Sequence, residues 1–324
     1  MARLGSSWPR LRSSWPRLLL VLAGSGALVA IPALVSARPL PGASSCPLFP
    51  PTNPWNQRVD GLPVAKNSGR LIASIGLTDP VHPDFGTVYN GAPNGIPFTV
   101  VSGHTRRVPV QFQYADESDR GPYPIPRNAP IEGGRNASGD RHVIVVDRSS
   151  CRDYELFAAY PHRGGASWSA GSGAIFDLRS NHLRPSGWTS ADAAGLPILP
   201  GLARYDEVAG GAIDHALRFT APCTSRAYVY PARHFASTCS GFYPPMGLRV
   251  RLKASVNISR LPYQARVVAQ ALKRYGLILA DNGSPWYISG APNPRWSDDA
   301  LHQLGQLTGS DFEVVDTSSL PHPG

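Results

Sequence analysis

Two kinds of hydrophobic spacing run along this chain. Short runs rich in β-branched and aromatic residues come first, divided by punctuation such as Gly91–Gly95, Gly121–Pro126 and Glu132–Gly134. They predict strands at Leu71–Ile75, Pro97–Val101, Val108–Tyr114, His142–Asp147 and Tyr154–Tyr160. The unbroken apolar run inside His142–Asp147 predicts burial on both faces, whereas Val108–Tyr114 alternates and predicts one wet face. Strand spacing resumes at Ala216–Thr220, Ala227–Tyr230 and Leu248–Leu252.

A period of 3.6 then takes over. In Leu261–Tyr275 the apolar side falls at Val267, Val268, Ala271, Leu272 and Tyr275. Ser259 is a candidate cap, Pro262 suits a first turn and Gly276 follows the last. Leu277–Ala280 and Trp286–Ser289 flank Asp281–Ser284, a turn sequence that predicts a hairpin. Ser297–Leu307 predicts a second, shorter helix, and Phe312–Val315 a last strand. The fold class expected is mainly β, a β-sandwich or jelly-roll-like single domain with a C-terminal α+β portion.

Between these regions, Gly173–Thr220 follows neither period. It is long, Gly- and Pro-studded, and still apolar at Gly173–Leu178 and Leu196–Leu202, which argues for order. The expectation is an ordered loop surface carrying the site.

The ends are simpler. Arg3, Arg10, Arg12 and Arg17 precede an apolar run, Leu18–Val35, that closes on Val35-Ser36-Ala37. Residues 1–37 therefore predict a cleaved signal peptide and a secreted, extracellular protein, with an uncleaved membrane anchor as the alternative. Residues 38–66 form a Pro-rich arm expected to run extended over the surface, docked by Trp55 and Val64. Residues 67–324 make the single domain. Cys46, Cys151, Cys223 and Cys239 are an even set that suggests two disulfides in an exported chain, in any of three pairings.

The formal charge is +9, and only Lys66, Lys253 and Lys273 among 31 basic residues are lysine. The arginines are scattered, so no nucleic-acid footprint is present. No P-loop, no G-x-S-x-G elbow, no H-E-x-x-H and no C-x-x-C occurs, and no cofactor is called for.

Acids carry the remaining chemistry. Cleaving a glycosidic bond takes one carboxylic acid on the leaving oxygen and a second carboxylate for water or the sugar. Glu207 is the preferred acid, with Asp177 or Asp214 as partner; Asp206 and the turn Asp116–Asp119 are further acids. For Tyr205–Glu207 the plain alternative is a solvated turn paired with Arg204. His215 reads as a structural histidine at a strand start or as a proton shuttle or metal ligand. Trp188 is the preferred sugar platform, ahead of Trp168 and Trp286, which suit a core. Arg184 and Arg204 would bind an acidic glycan or else brace the loop, and Asn181 completes the substrate-binding set.

At Gly173–Thr220, Gly247–Ala254 and Ala280–Ser284 the chain resembles a group of uncharacterised exported actinobacterial proteins, with likeness from about Cys46 to Asp316. The resemblance implies export and one integrated domain, and transfers no catalytic residue. Three functions compete: a glycoside hydrolase acting on polysaccharide or cell-wall glycan, a carbohydrate-binding or envelope-associated protein, and a metal-dependent hydrolase. No nucleic acid and, after signal cleavage, no membrane is expected as partner.

Overall fold

The computed structural model describes residues 37–237 and 239–323, so residues 1–36 of the expected signal peptide lie outside the described residues. The chain is mainly β. Its first strands are β1 (His82–Asp84), β2 (Val88–Tyr89), β3 (Ala92–Pro93), β4 (Phe98–Val101) and β5 (Val110–Phe112). Next come β6 (Val143–Asp147), β7 (Arg152–Phe157), β8 (Tyr160–His162), β9 (Ser167–Ala170) and β10 (Ser172–Asp177). After the middle stretch follow β11 (Leu217–Ala221), β12 (Arg249–Leu252), β13 (Leu277–Asn282), β14 (Tyr287–Ser289) and β15 (Phe312–Val314).

A four-stranded sheet, β10-β7-β6-β4, packs against a three-stranded one, β5-β9-β8. Val143, Val145, Tyr154 and Leu156 meet Val110, Phe112, Trp168 and Ala170 between them, which makes a small sandwich. The outer face of the larger sheet, with Ile144, Val146, Ala174 and Phe176, is covered by Leu40, Leu48 and Phe49 and by Ile198, Leu199 and Leu202. Every residue of β6 is accordingly buried, as its unbroken apolar run implies.

The second half is a six-stranded mixed sheet, β1-β14-β11-β13-β12-β15. Helix α1 (Ser68–Ile75) packs near β15, α2 (Tyr205–Ala209) lies within the middle stretch, and α3 (Tyr263–Arg274) lays Ala265, Val268 and Leu272 into the same core. Trp286 is fully enclosed between Phe219 and Phe312, with ring centroids 5.5 and 4.9 Å away. Burying one such ring contributes roughly 3 kcal/mol. Helix α4 (Asp298–His302) is capped by the Ser297 hydroxyl, which accepts from the Ala300 N–H, and tightens into a 3₁₀ turn at Gln303–Gln306.

Several elements differ from their expectation. Leu71–Ile75 belongs to a helix, because Leu71, Ile72 and Ile75 share one buried helical face that a short window cannot tell from a strand. Strands β13 and β14 are not a hairpin: both pair with β11, one parallel and one antiparallel, so β11 lies between them. The Asp281–Ser284 turn instead crosses the end of β11, where the Thr220 hydroxyl donates to the Ser284 carbonyl and Gly283 N–H to that of Ala221. Ala227–Tyr230 makes one isolated bridge, Tyr228 to Met246, rather than a strand. Ser259 caps nothing; α3 starts after Pro262.

The arm is not a surface strap. Leu40, Leu48, Phe49, Trp55 and Val59 are all buried, and Cys46 is bonded to Cys151, while Val64 is exposed. The arm also closes one face of β12. Arg249 donates to the carbonyls of Pro54, Gln57 and Tyr275, and burial with no carboxylate beside it lowers its pKa to about 9. Cys223–Cys239 is the second disulfide. No helix among the described residues is long and apolar enough to cross a membrane.

Candidate functional site

The middle stretch is ordered and irregular, but much of it is interior. Leu196, Ile198, Leu199, Leu202 and Ala203 are buried, because the segment carries the chain from the sandwich to the six-stranded sheet between two cores. This burial decides the fate of the acids that it holds.

Glu207, on α2, is fully buried and lines neither cavity described below. Its Oε2 lies 3.1 Å from His215 Nε2, and its Oε1 lies 2.8 Å from Arg204 Nη2. His215 Nδ1 sits 2.8 Å from the Ala216 carbonyl, and Arg204 Nη2 donates to the carbonyl of Arg38 in the arm. Burial pushes the Glu207 carboxyl up, but Arg204 and His215 outweigh it and hold it below the usual range. A carboxyl kept ionised and sealed off is the reverse of a general acid. Glu207, Arg204 and His215 form a structural cluster, and both the solvated turn and the catalytic role are corrected.

The other expected residues scatter. Asp177 is exposed at the end of β10 and accepts the Arg179 N–H. Asp214 is half-buried and lines neither cavity described below. The three preferred carboxylates do not converge. Asn181 joins the side chains of Asn53 and Thr52, fastening the arm rather than facing a ligand. Arg184 is the brace: it donates to the carbonyls of Thr189 and Glu117 and pairs with Asp119 at 2.5 Å. Trp168 and Trp286 are core.

A different set of acids does converge. A cavity of about 500 Å³ opens between the sandwich and the six-stranded sheet. Its walls come from Tyr114 and Glu117 after β5, Phe157 and Ser172, the turn Thr189–Ala193, His234–Ala236, and Asp281 on β13. The turn is held from several sides. Ser190 Oγ donates to the Leu196 carbonyl, Ser172 Oγ to that of Ser190, and Ala194 N–H to that of Ala280. Gly195 closes it at φ +69, where a Cβ would strike the Trp188 carbonyl.

At the floor, Arg218 holds Asp192 through two bonds of 3.0 and 2.6 Å and lies 3.5 Å from Asp281. Burial disfavours the Arg218 charge, yet its Asp192 partner keeps the guanidinium protonated. Asp281 is the perturbed member. Burial first, and repulsion from Asp192 second, raise its pKa well above the carboxylate range against the pull of Arg218. Its side chain is 23% exposed, to the cavity. The β11–β13 register slips by one residue between Phe219 and Thr220, skipping Ala280, and such a bulge re-aims the next side chain.

The same cavity is lined by Glu117, 34% exposed, whose Oε2 accepts the Thr189 N–H and lies 4.0 Å from His234 Nε2. His234 Nδ1 is 2.8 Å from the Ala193 carbonyl, which fixes the ring and leaves Nε2 toward Glu117. Of this set the sequence singled out only the turn bearing Glu117. Asp281 read as a hairpin turn residue and His234 carried no pattern.

Among the described residues, no group of three or more His, Cys, Asp and Glu side chains is placed to hold a metal ion. Compared with known proteins, the chain matches no family model, no curated protein and no solved structure.

Proposed function

We infer that this cavity is the active centre of a hydrolase that acts on polysaccharide, cleaving a glycosidic bond with Asp281 as acid and Glu117 as its carboxylate partner. One observation carries this reading: two carboxyl groups share a cavity in unlike environments, one whose ionisation burial and Asp192 disfavour, the other open and bonded to a backbone N–H. Environments that drive paired acids apart assign their roles. Asp281 gives its proton to the leaving oxygen, and Glu117 acts on water or on the anomeric carbon. Arg218 then steadies the Asp281 carboxylate, at 3.5 Å, until it is reprotonated. Tyr114, Phe157 and Phe235 supply the apolar walls that a sugar's C–H faces require. Two disulfides are consistent with a secreted place of work.

The test is reducing-end release from a panel of neutral and acidic polysaccharides. Asp281→Asn and Glu117→Gln should each lower the rate about 10²–10⁴-fold, the range lost with an acid or base, while unfolding stays cooperative. A wild-type protein that releases nothing across the panel, or variants that keep full rate, would overturn the assignment.

A further inference from the structure

We propose that a second cavity beside the first is a subsite for an anionic sugar unit, whose charge is read by Arg120 and Arg152 and whose ring rests on Trp188. This deepens the preceding reading and rests on it for the word sugar. The second cavity measures about 530 Å³ and includes Asp119, Arg120, Arg152, Asp177, Arg184 and Trp188 in its lining. Arg184 is committed to Asp119 and to two carbonyls. Arg120 and Arg152 are different: both are exposed, and among the described residues neither makes an ion pair or a side-chain hydrogen bond. Arg152 stands in register with Asp147 on one side and Asp177 on the other. Asp147 is occupied by Arg107, Ser149 and Ser150, and one oxygen of Asp177 by the Arg179 N–H. Two guanidinium forks facing one hollow match the oxygens of a carboxylate or of a sulfate ester.

Trp188 supplies the platform. It is half-buried, whereas Trp55, Trp168, Trp286 and Trp296 are buried, and Arg184 stands over its ring at 5.5 Å. The two cavities share a wall. Thr189 and Glu117 line the first, while their near neighbours Trp188 and Asp119 line the second. The two hollows are therefore neighbours, parted by the wall that Arg184 braces. Glu117 in the first disfavours an anionic unit that the arginines of the second attract, so charge sets which hollow the unit takes.

Binding, rather than turnover, tests this. The full chain is titrated at physiological salt with three oligosaccharides of equal length: a galacturonate, a sulfated galactan and a neutral glucan. Heat and tryptophan fluorescence are followed together. The expected result is that one or both charged ligands bind and quench fluorescence, the better of the two naming the acid, and that the glucan binds at least tenfold more weakly. Arg120→Ala and Arg152→Ala should each weaken the charged ligand by about tenfold or more. Trp188→Phe should abolish most of the quench. Equal affinity for all three ligands, or charged-ligand binding unchanged in Arg152→Ala, overturns the subsite. Selective binding without any bond cleavage would retain the subsite and reject the hydrolase, so the two failures are distinct.

Discussion

Two sites in this protein are built from the same side chains and do opposite things. Each holds an arginine, a histidine and carboxylates. In the Arg204–Glu207–His215 cluster all three are at most 1% exposed, and the acid is held ionised by its partners. In the cavity, Arg218 is bound by Asp192, which leaves Asp281 beside a like charge, partly open and with its pKa raised. Composition therefore does not separate a sealed ion cluster from one that opens on a cavity. What separates them is the count of opposing charges and access to a cavity. The buried cluster gives each Glu207 oxygen its own partner, Arg204 on one and His215 on the other, while the cavity asks one arginine to serve two acids.

Removing the central acid from each site breaks or sustains that comparison. Glu207→Ala leaves Arg204 and His215 without their carboxylate in the interior, and losing one partner of a buried pair costs about 3–5 kcal/mol. At that size the denaturant midpoint at pH 7.5 falls steeply or folding fails. Glu207→Gln, which keeps the shape and some hydrogen bonding, should fall between. If chemical denaturation shows Glu207→Ala as stable as wild type, the cluster is not structural.

Asp281→Asn should move stability the other way. A carboxyl whose folded pKa is raised favours the fold below its unfolded value and loses that contribution as pH rises through the folded one. The amide has no proton to lose, so the variant should gain about 0.5–2 kcal/mol at pH 7.5, within the usual range for relieving an unfavourable site. That gain should shrink as pH drops toward 4.5. Glu207 has the opposite sign: its contribution is present above the unfolded value near 4.3 and is lost only as pH falls through a still lower folded pKa. The Glu207→Ala deficit should thus hold constant from pH 7.5 to 4.5 while the Asp281→Asn gain fades. Parallel pH profiles for the two variants would mean that both carboxyls sit in one kind of environment.

The strand runs of the sandwich were legible because a half- or fully buried strand writes its burial as spacing, as in Val143–Val146. The main helix was legible for the same reason. The interior course of the arm was not, since Leu48, Phe49 and Val59 are held by a disulfide and by backbone contacts that follow no period. The site fared worse. Asp281 reaches the cavity through a register slip beside Ala280, and His234 comes from an irregular segment whose N–H bonds to the carbonyl of Ala194. Neither event has a local signature. Glu207 misled because a short acidic run after Arg204 looks the same whether its helix faces water or a core.

His234 is where the comparison can be drawn most finely. Like His215, it gives Nδ1 to a backbone carbonyl and turns Nε2 to a glutamate, but the gap is 4.0 Å rather than 3.1 Å and the pair faces a cavity. A histidine at that range positions Glu117 without bonding it tightly. His234→Ala should therefore lower the rate about tenfold, or 1.4 kcal/mol in the barrier, and shift the pH–rate profile on the limb that Glu117 sets. His234→Gln, which can still reach Glu117 with an amide N–H, should recover part of the rate but not the wild-type pH dependence. Thermal midpoints should stay within a few degrees of wild type, since the residue is half-exposed and outside the cores. A rate loss that follows the midpoint, with an unmoved pH profile, would put His234 in the same structural class as His215 and leave Asp281 and Glu117 as a pair without a tuner.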